Sequence, residues 1–165
     1  MISVKTTNNK AFMKSLLTTE LFDNYYVEEI AIDTFNSFYI DGHVHKEFYN
    51  DDEMSDQSEV SDFSRWADLR PICLDLIKGK RTPLKFKFVF HLDEKETASI
   101  IEKAGADLSA SDIKLAINIR FVGGELVITT GTAFNVFTLD KSIEKAWDSY
   151  FPSFLESNDI ILQYL

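Results

Sequence analysis

The clearest periodic segment lies near the middle of the chain. Leu84, Phe86, Phe88, Phe90 and Leu92 alternate with Lys85, Lys87, Val89 and His91, and a period of two marks a strand with one buried face. Ile113, Leu115, Ile117, Ile119 and Phe121 repeat the pattern, and Gly123-Gly124 leads into Leu126, Ile128 and Thr130. This predicts a hairpin. Thr129-Thr130-Gly131-Thr132 reads as a small polar turn, and residues 134–139 as a third strand closing a meander. Upstream, residues 2–6 read as a short strand and residues 25–48 as two or three antiparallel strands, with Asp41-Gly42 as a hairpin signal.

Helical spacing appears between these runs. Phe12, Met13, Leu16 and Leu17 share one face of a helix over residues 9–18 that Asn8 caps. Trp66, Leu69, Cys73, Leu76 and Ile77 form the inward stripe of a helix over residues 63–78. Pro71 must either start that helix or kink it, and Gly79 stops it. Asp93 followed by Glu96 is a capping-box arrangement for a helix ending at Gly105. Asp140 caps a last helix carrying Ile143, Ala146, Trp147 and Tyr150, which Pro152 bends or ends. The apolar tail, 160–165, docks as a strand or meets a partner.

The resulting order is β-α-β-β-β-α-β-α-β-β-β-α. Consecutive strands joined by tight turns argue antiparallel pairing, so the expected class is α+β: antiparallel β-meanders packed with about four helices. One domain, 1–165, is expected. Residues 50–62 carry six carboxylates and read as a mobile, solvated acidic loop within it.

Composition sharpens this picture in three ways. Hydrophobic residues make up 45% of the chain and 14 are phenylalanine, enough for a real core. Charge is −10, so the long-range field opposes nucleic acid and anionic membranes. A lone cysteine, Cys73, makes no internal disulfide. With no apolar run long enough to cross a membrane and no secretory leader pattern, a cytoplasmic protein is the expectation.

Two constellations carry chemistry. Lys78, Lys80, Arg81, Lys85 and Lys87 put five positive charges into ten residues of an acidic chain. With Trp66, Arg70 and His91 they form a candidate site for an anion or a partner. The competing reading is helix-end charge plus the wet face of a strand. His43, His45 and Glu47 follow the Asp41-Gly42 turn at period two. On a strand they would share a face and could ligate a metal; a solvated strand face is the alternative. There is no phosphate-cradling loop at Gly79-Lys80, no dinucleotide fingerprint and no Ca²⁺-loop order in the acidic stretch. Cys73 falls on the inward helical stripe, where a thiol is inert. No cofactor is expected.

The segments Arg65-Trp66-Ala67-Asp68-Leu69-Arg70-Pro71 through Ile77-Lys78-Gly79-Lys80-Arg81-Thr82-Pro83 into Phe86–Leu92, and Thr130-Gly131-Thr132 with Phe137–Ser142 and Ala146-Trp147-Asp148, together with Phe12-Met13 and Phe22-Asp23, resemble a family of uncharacterised Firmicutes proteins, a domain of unknown function. The resemblance covers nearly the whole chain and implies no activity, cofactor or catalytic residue. The acidic insert departs from it. As fold analogy alone, the opening strand, helix, meander and helix are similar in order to a half-unit of a DNA sliding clamp. The leading expectation is therefore a non-enzymatic binding or interaction module, its partner met at the basic segment or, by self-association, at the C-terminal tail. The alternative is a small metal-dependent enzyme using His43, His45 and Glu47.

Overall fold

The computed structural model describes residues 1–49 and 60–165. Its order is β1 (Ser3–Thr6), α1 (Asn9–Thr18), β2 (Tyr26–Asp33), β3 (Ser37–Asp41), α2 (Trp66–Ile77), β4 (Lys85–His91), α3 (Glu94–Ala104), β5 (Ile113–Val122), β6 (Glu125–Phe134), α4 (Ser142–Ser157) and β7 (Leu162–Tyr164). The strands form one seven-stranded sheet in the order β3-β2-β4-β5-β6-β1-β7, antiparallel at every pairing.

Alternation decides which face is covered. Phe86, Phe88 and Phe90 of β4 and Leu115, Ile117 and Ile119 of β5 are buried under the helices. Trp66 of α2 is fully buried against Phe88 and Phe90, and its indole N–H donates to the Leu16 carbonyl of α1 at 2.9 Å. Trp147 of α4 donates to the Ala116 carbonyl at 3.1 Å. Lys85, Lys87, Asn118 and Arg120 occupy the opposite face. Among the described residues no helix lies there, an arrangement antiparallel sheets permit.

The local signals that close on themselves hold. Asn8 accepts from the Ala11 N–H at 3.0 Å and starts α1. Asp93 accepts from the Glu96 N–H at 2.9 Å and starts α3, which ends on Gly105 in the left-handed region at φ 68°. The apolar tail docks as β7 on β1.

Several expectations are corrected. Asp41-Gly42 makes no hairpin: β2 and β3 are joined at residues 34–36, and Gly42 is where β3 leaves the sheet. Gly42 donates to the Glu28 carbonyl and accepts from the Ser64 N–H, both at 2.9 Å. Residues 63–65 thus take over the place beside β2 that β3 gives up, and Tyr26 bridges to Arg65. A Cβ on Gly42 would stand 1.7 Å from the Val27 carbonyl oxygen, so the crossing requires glycine. Thr129-Thr130-Gly131-Thr132 lies inside β6, because the buried Thr130 hydroxyl accepts from the Ile2 N–H at 3.0 Å and donates to Asp148. Residues 135–140 are not a strand. The first meander has two strands, β2 and β3, the second lacks its expected third strand, and both α2 and α4 continue past their prolines. The acidic loop expected over 50–62 falls, for residues 50–59, outside the described residues.

Candidate functional site

The structure does not gather the basic segment into one patch. Lys85 and Lys87 stand on the open face of β4 opposite Asp33 and Ala31 of β2. Lys85 lies 3.5 Å from Asp33, and Lys87 pairs with Glu29. Lys78 pairs with Asp75 one turn earlier, at 2.7 Å. Arg70 grips both oxygens of Asp23 at 2.9 and 3.0 Å. Trp66 belongs to the core. These five residues are occupied inside the fold.

Lys80 and Arg81 differ. They line a cleft of about 670 Å³ at the start of β4, with Lys10 from the first turn of α1. Among the described residues no carboxylate lies within 4.0 Å of any of the three. Met13, Ile77, Phe86 and Phe121 supply its apolar lining, and Asn9 and Thr82 add polar groups. Three unmatched cations over an apolar floor can hold an anion that carries a nonpolar body.

His91 stands at the other end of β4, in a second cleft of about 620 Å³. It sits on the open face yet is only 7% exposed, because the stretch released by the Gly42 crossing lays Phe63 over it. The Phe63 ring meets the imidazole edge-on at 4.8 Å, and Tyr26 lies 5.2 Å away. Its Nδ1 is 3.1 Å from Glu28 Oε1 but off the line a hydrogen bond needs, so among the described residues that buried nitrogen has no hydrogen-bond partner. The same Glu28 oxygen receives the Lys114 ammonium, which also sits 4.9 Å from the Phe63 ring centre. Burial pushes the His91 pKa down to about 4, with Glu28 opposing and Lys114 adding to the shift. The ring is neutral at pH 7. Glu94, at the start of α3, accepts from the Tyr26 hydroxyl at 3.2 Å.

His43, His45 and Glu47 are not on a strand: Glu47 lies in a 3₁₀ turn, Lys46–Phe48. The His43 ring is tied to Asp41 at 2.6 Å, and the His45 ring lies 3.4 Å from Glu47. Among the described residues no three metal-ligating side chains gather. Cys73 is buried, its thiol pushed up to about 12 by burial, which leaves it protonated and unreactive.

Charge density in the sequence points to Lys80 and Arg81 but not to Lys10, which joins them from far away along the chain. Glu28, Tyr26, Phe63 and Lys114 carry no local signal, since only the fold brings them to His91. Among the described residues no helix is long and apolar enough to cross a membrane. No curated protein and no solved structure matches the chain. The model of DUF5721, a family of unknown function, matches residues 15–163, and the chain belongs to that family.

Proposed function

We propose that the protein is a non-enzymatic binding domain that takes a phosphorylated small molecule in the cleft of Lys10, Lys80 and Arg81. The observation that carries this reading is that three cations line one cleft with no carboxylate within 4.0 Å among the described residues, while most of the basic segment is ion-paired. In an acidic chain, unmatched cations attract an anion locally, and the aromatic and aliphatic floor suits a ring attached to it. The clamp-like version would put DNA on the same cations, against a net charge of −10. The small anion is therefore the preferred ligand.

Calorimetric titration with inorganic phosphate, pyrophosphate and ATP at low salt tests the reading. Saturable binding that the Lys80→Glu/Arg81→Glu double variant abolishes supports it. Absence of binding for all three probes overturns it. Duplex DNA binding with a steep salt dependence would favour the clamp-like version instead.

A second reading rests on β7, an edge strand whose Tyr164 is exposed together with the flanking Ile161 and Leu165. Such an edge can pair with a second copy. Light scattering on the intact chain distinguishes a mass of 18.9 kDa from twice that. The metal-dependent enzyme at His43, His45 and Glu47 gains no support from the side-chain geometry. Elemental analysis of protein purified without an affinity tag addresses it directly.

A further inference from the structure

One end of the sheet joins unmatched cations to exposed apolar side chains, and strand register fixes what stands there. Asp33 of β2, Lys85 of β4, Val122 of β5 and Glu125 of β6 pair in one row across four strands. Beyond that row lie three connections: Thr34-Phe35-Asn36, residues 78–84, and Gly123-Gly124. None of them holds a carboxylate, in a chain with 27, and the first turn of α1, which brings Lys10, has none either. The acids of the row itself are taken. Asp33 lies 3.5 Å from Lys85, and Glu125 lies 2.6 Å from Lys5. Asp159 stands at the far edge of this end, on the connection to β7.

The same connections hold large apolar side chains in water. Phe35 is 86% exposed and Leu84 72%. Their turns touch, because the Leu84 N–H donates to the Asp33 carbonyl at 2.9 Å. Val122, just before the Gly123-Gly124 turn, is exposed as well. A single exposed apolar residue is ordinary, but here three adjacent strands present them at one end, beside Lys10, Lys80 and Arg81. The net charge of −10 does not describe this end. Asp62, Asp93, Glu94, Glu96 and Asp112 belong to the opposite one. The seven residues of β4 separate the two ends by roughly 23 Å, about three Debye lengths at physiological ionic strength.

We propose that this end of the sheet docks on an anionic membrane surface. Lys10, Lys80 and Arg81 take the phosphate of a lipid headgroup, and Phe35, Leu84 and Val122 enter the boundary of the acyl chains. This rests on the anion reading of the cleft and names the source of the phosphate. An anionic bilayer offers negative charge in its headgroups and hydrocarbon just beneath, the two things that this end matches in one layer. A free phosphate would leave the apolar side chains in water, and duplex DNA offers them no hydrocarbon.

The test is flotation of the full chain with vesicles of phosphatidylcholine alone and of phosphatidylcholine mixed equally with phosphatidylglycerol, at low and at physiological salt. Binding to the mixed vesicles that weakens with salt, and none to phosphatidylcholine alone, supports the proposal. Phe35→Ser/Leu84→Ser alters exposed side chains only. It is expected to weaken vesicle binding at least about tenfold, the factor that burial of one large apolar side chain carries, and to leave the calorimetric phosphate titration unchanged. Lys80→Glu/Arg81→Glu should lose both. The proposal is overturned if the chain floats with neither vesicle at low salt, if it binds both alike, or if either double variant floats like the parent. Phosphate binding without vesicle binding overturns the membrane proposal and leaves the small-anion reading standing, whereas loss of both overturns both.

Discussion

β4 and β5 run between two clefts of different character. At the start of β4, cations from α1 and from the α2–β4 connection line one cleft with apolar side chains, and among the described residues no carboxylate lies within 4.0 Å of them. At the end of β4, a buried neutral imidazole lies between aromatic rings with the Glu28–Lys114 pair beside it. Between the two, Lys85 and Lys87 are matched by Asp33 and Glu29 on the neighbouring strand. The difference teaches that Lys85 and Lys87 are neutralised by carboxylates of the paired strand, whereas the connections at the ends of β4 bring in groups that no strand partner matches. A net charge of −10 describes neither end.

The largest way to break the comparison is at Gly42. Its backbone φ is ordinary, so the constraint is space: an alanine Cβ would stand 1.7 Å from the Val27 carbonyl oxygen and 2.5 Å from its carbon. The β3 crossing would have to open, and with it the seat of Phe63 over His91. Gly42→Ala is expected to cost about 3–5 kcal/mol, in the range reserved for specific steric or backbone faults, read from urea midpoints. The damage should stay local, with the phosphate response at Lys80 and Arg81 retained in the folded protein. A neutral substitution would mean that the strands do not approach as closely as described.

The next effect separates the ends by pH. His91 titrates near 4 in the folded chain and at 6.5 ordinarily. Between those values the unfolded state binds a proton that the folded state refuses, so stability falls as pH drops from 6.5 towards 4. At about 1.36 kcal/mol per unit of pKa difference, the loss reaches about 3 kcal/mol. The groups facing the ring are Glu28 from β2, Lys114 from β5, Glu94 from α3 and His43 beyond Phe63. Urea unfolding at pH 7 and pH 4.5 should show the parent losing about 2 kcal/mol more than His91→Phe, within the bound that the same pKa difference sets. Equal losses would show that His91 is not neutral in the fold.

How much of this could be read in advance follows from distance along the chain. The Asn8 and Asp93 caps and the Gly105 stop are contacts within a few residues, and they are legible because nothing remote decides them. The alternation of β4 and β5 is legible for the same reason. Gly42 misleads because a glycine beside aspartate also signals a turn, and its true reason, Val27, lies in another strand. Thr130 misleads because its hydroxyl is satisfied by Ile2 and Asp148 rather than by a turn. The clefts divide likewise. Lys80 and Arg81 stand out as charge in a short span, while Glu28, Phe63 and Lys114 become neighbours of His91 only after the sheet has formed.

A smaller effect tests the claim that the rest of the basic segment is structural. Arg70 holds Asp23 through two hydrogen bonds with both side chains mostly covered. Arg70→Met should cost about 1–2 kcal/mol, as expected for a charge-assisted bidentate pair, without changing the phosphate titration. A variant that loses phosphate binding at full stability would instead assign Arg70 to the ligand.

The smallest stability effect is expected where the functional effect is greatest. Lys80 and Arg81 are exposed and, among the described residues, have no carboxylate within 4.0 Å. Their replacement therefore removes no interaction that holds the fold, and surface changes of this kind stay within about 0.5 kcal/mol. In the Lys80→Glu/Arg81→Glu variant the added acids even meet Lys10 across the cleft, so a slight gain in thermal midpoint at low salt is the expected direction. Phosphate binding should nonetheless vanish, because the cleft changes from three cations to one cation and two carboxylates. Residues retained for folding lose stability when reversed, and residues retained for a ligand lose only the ligand. A stability loss comparable to that of Arg70→Met would place the unmatched cations with the structural ones and erase the difference between the two ends of the sheet.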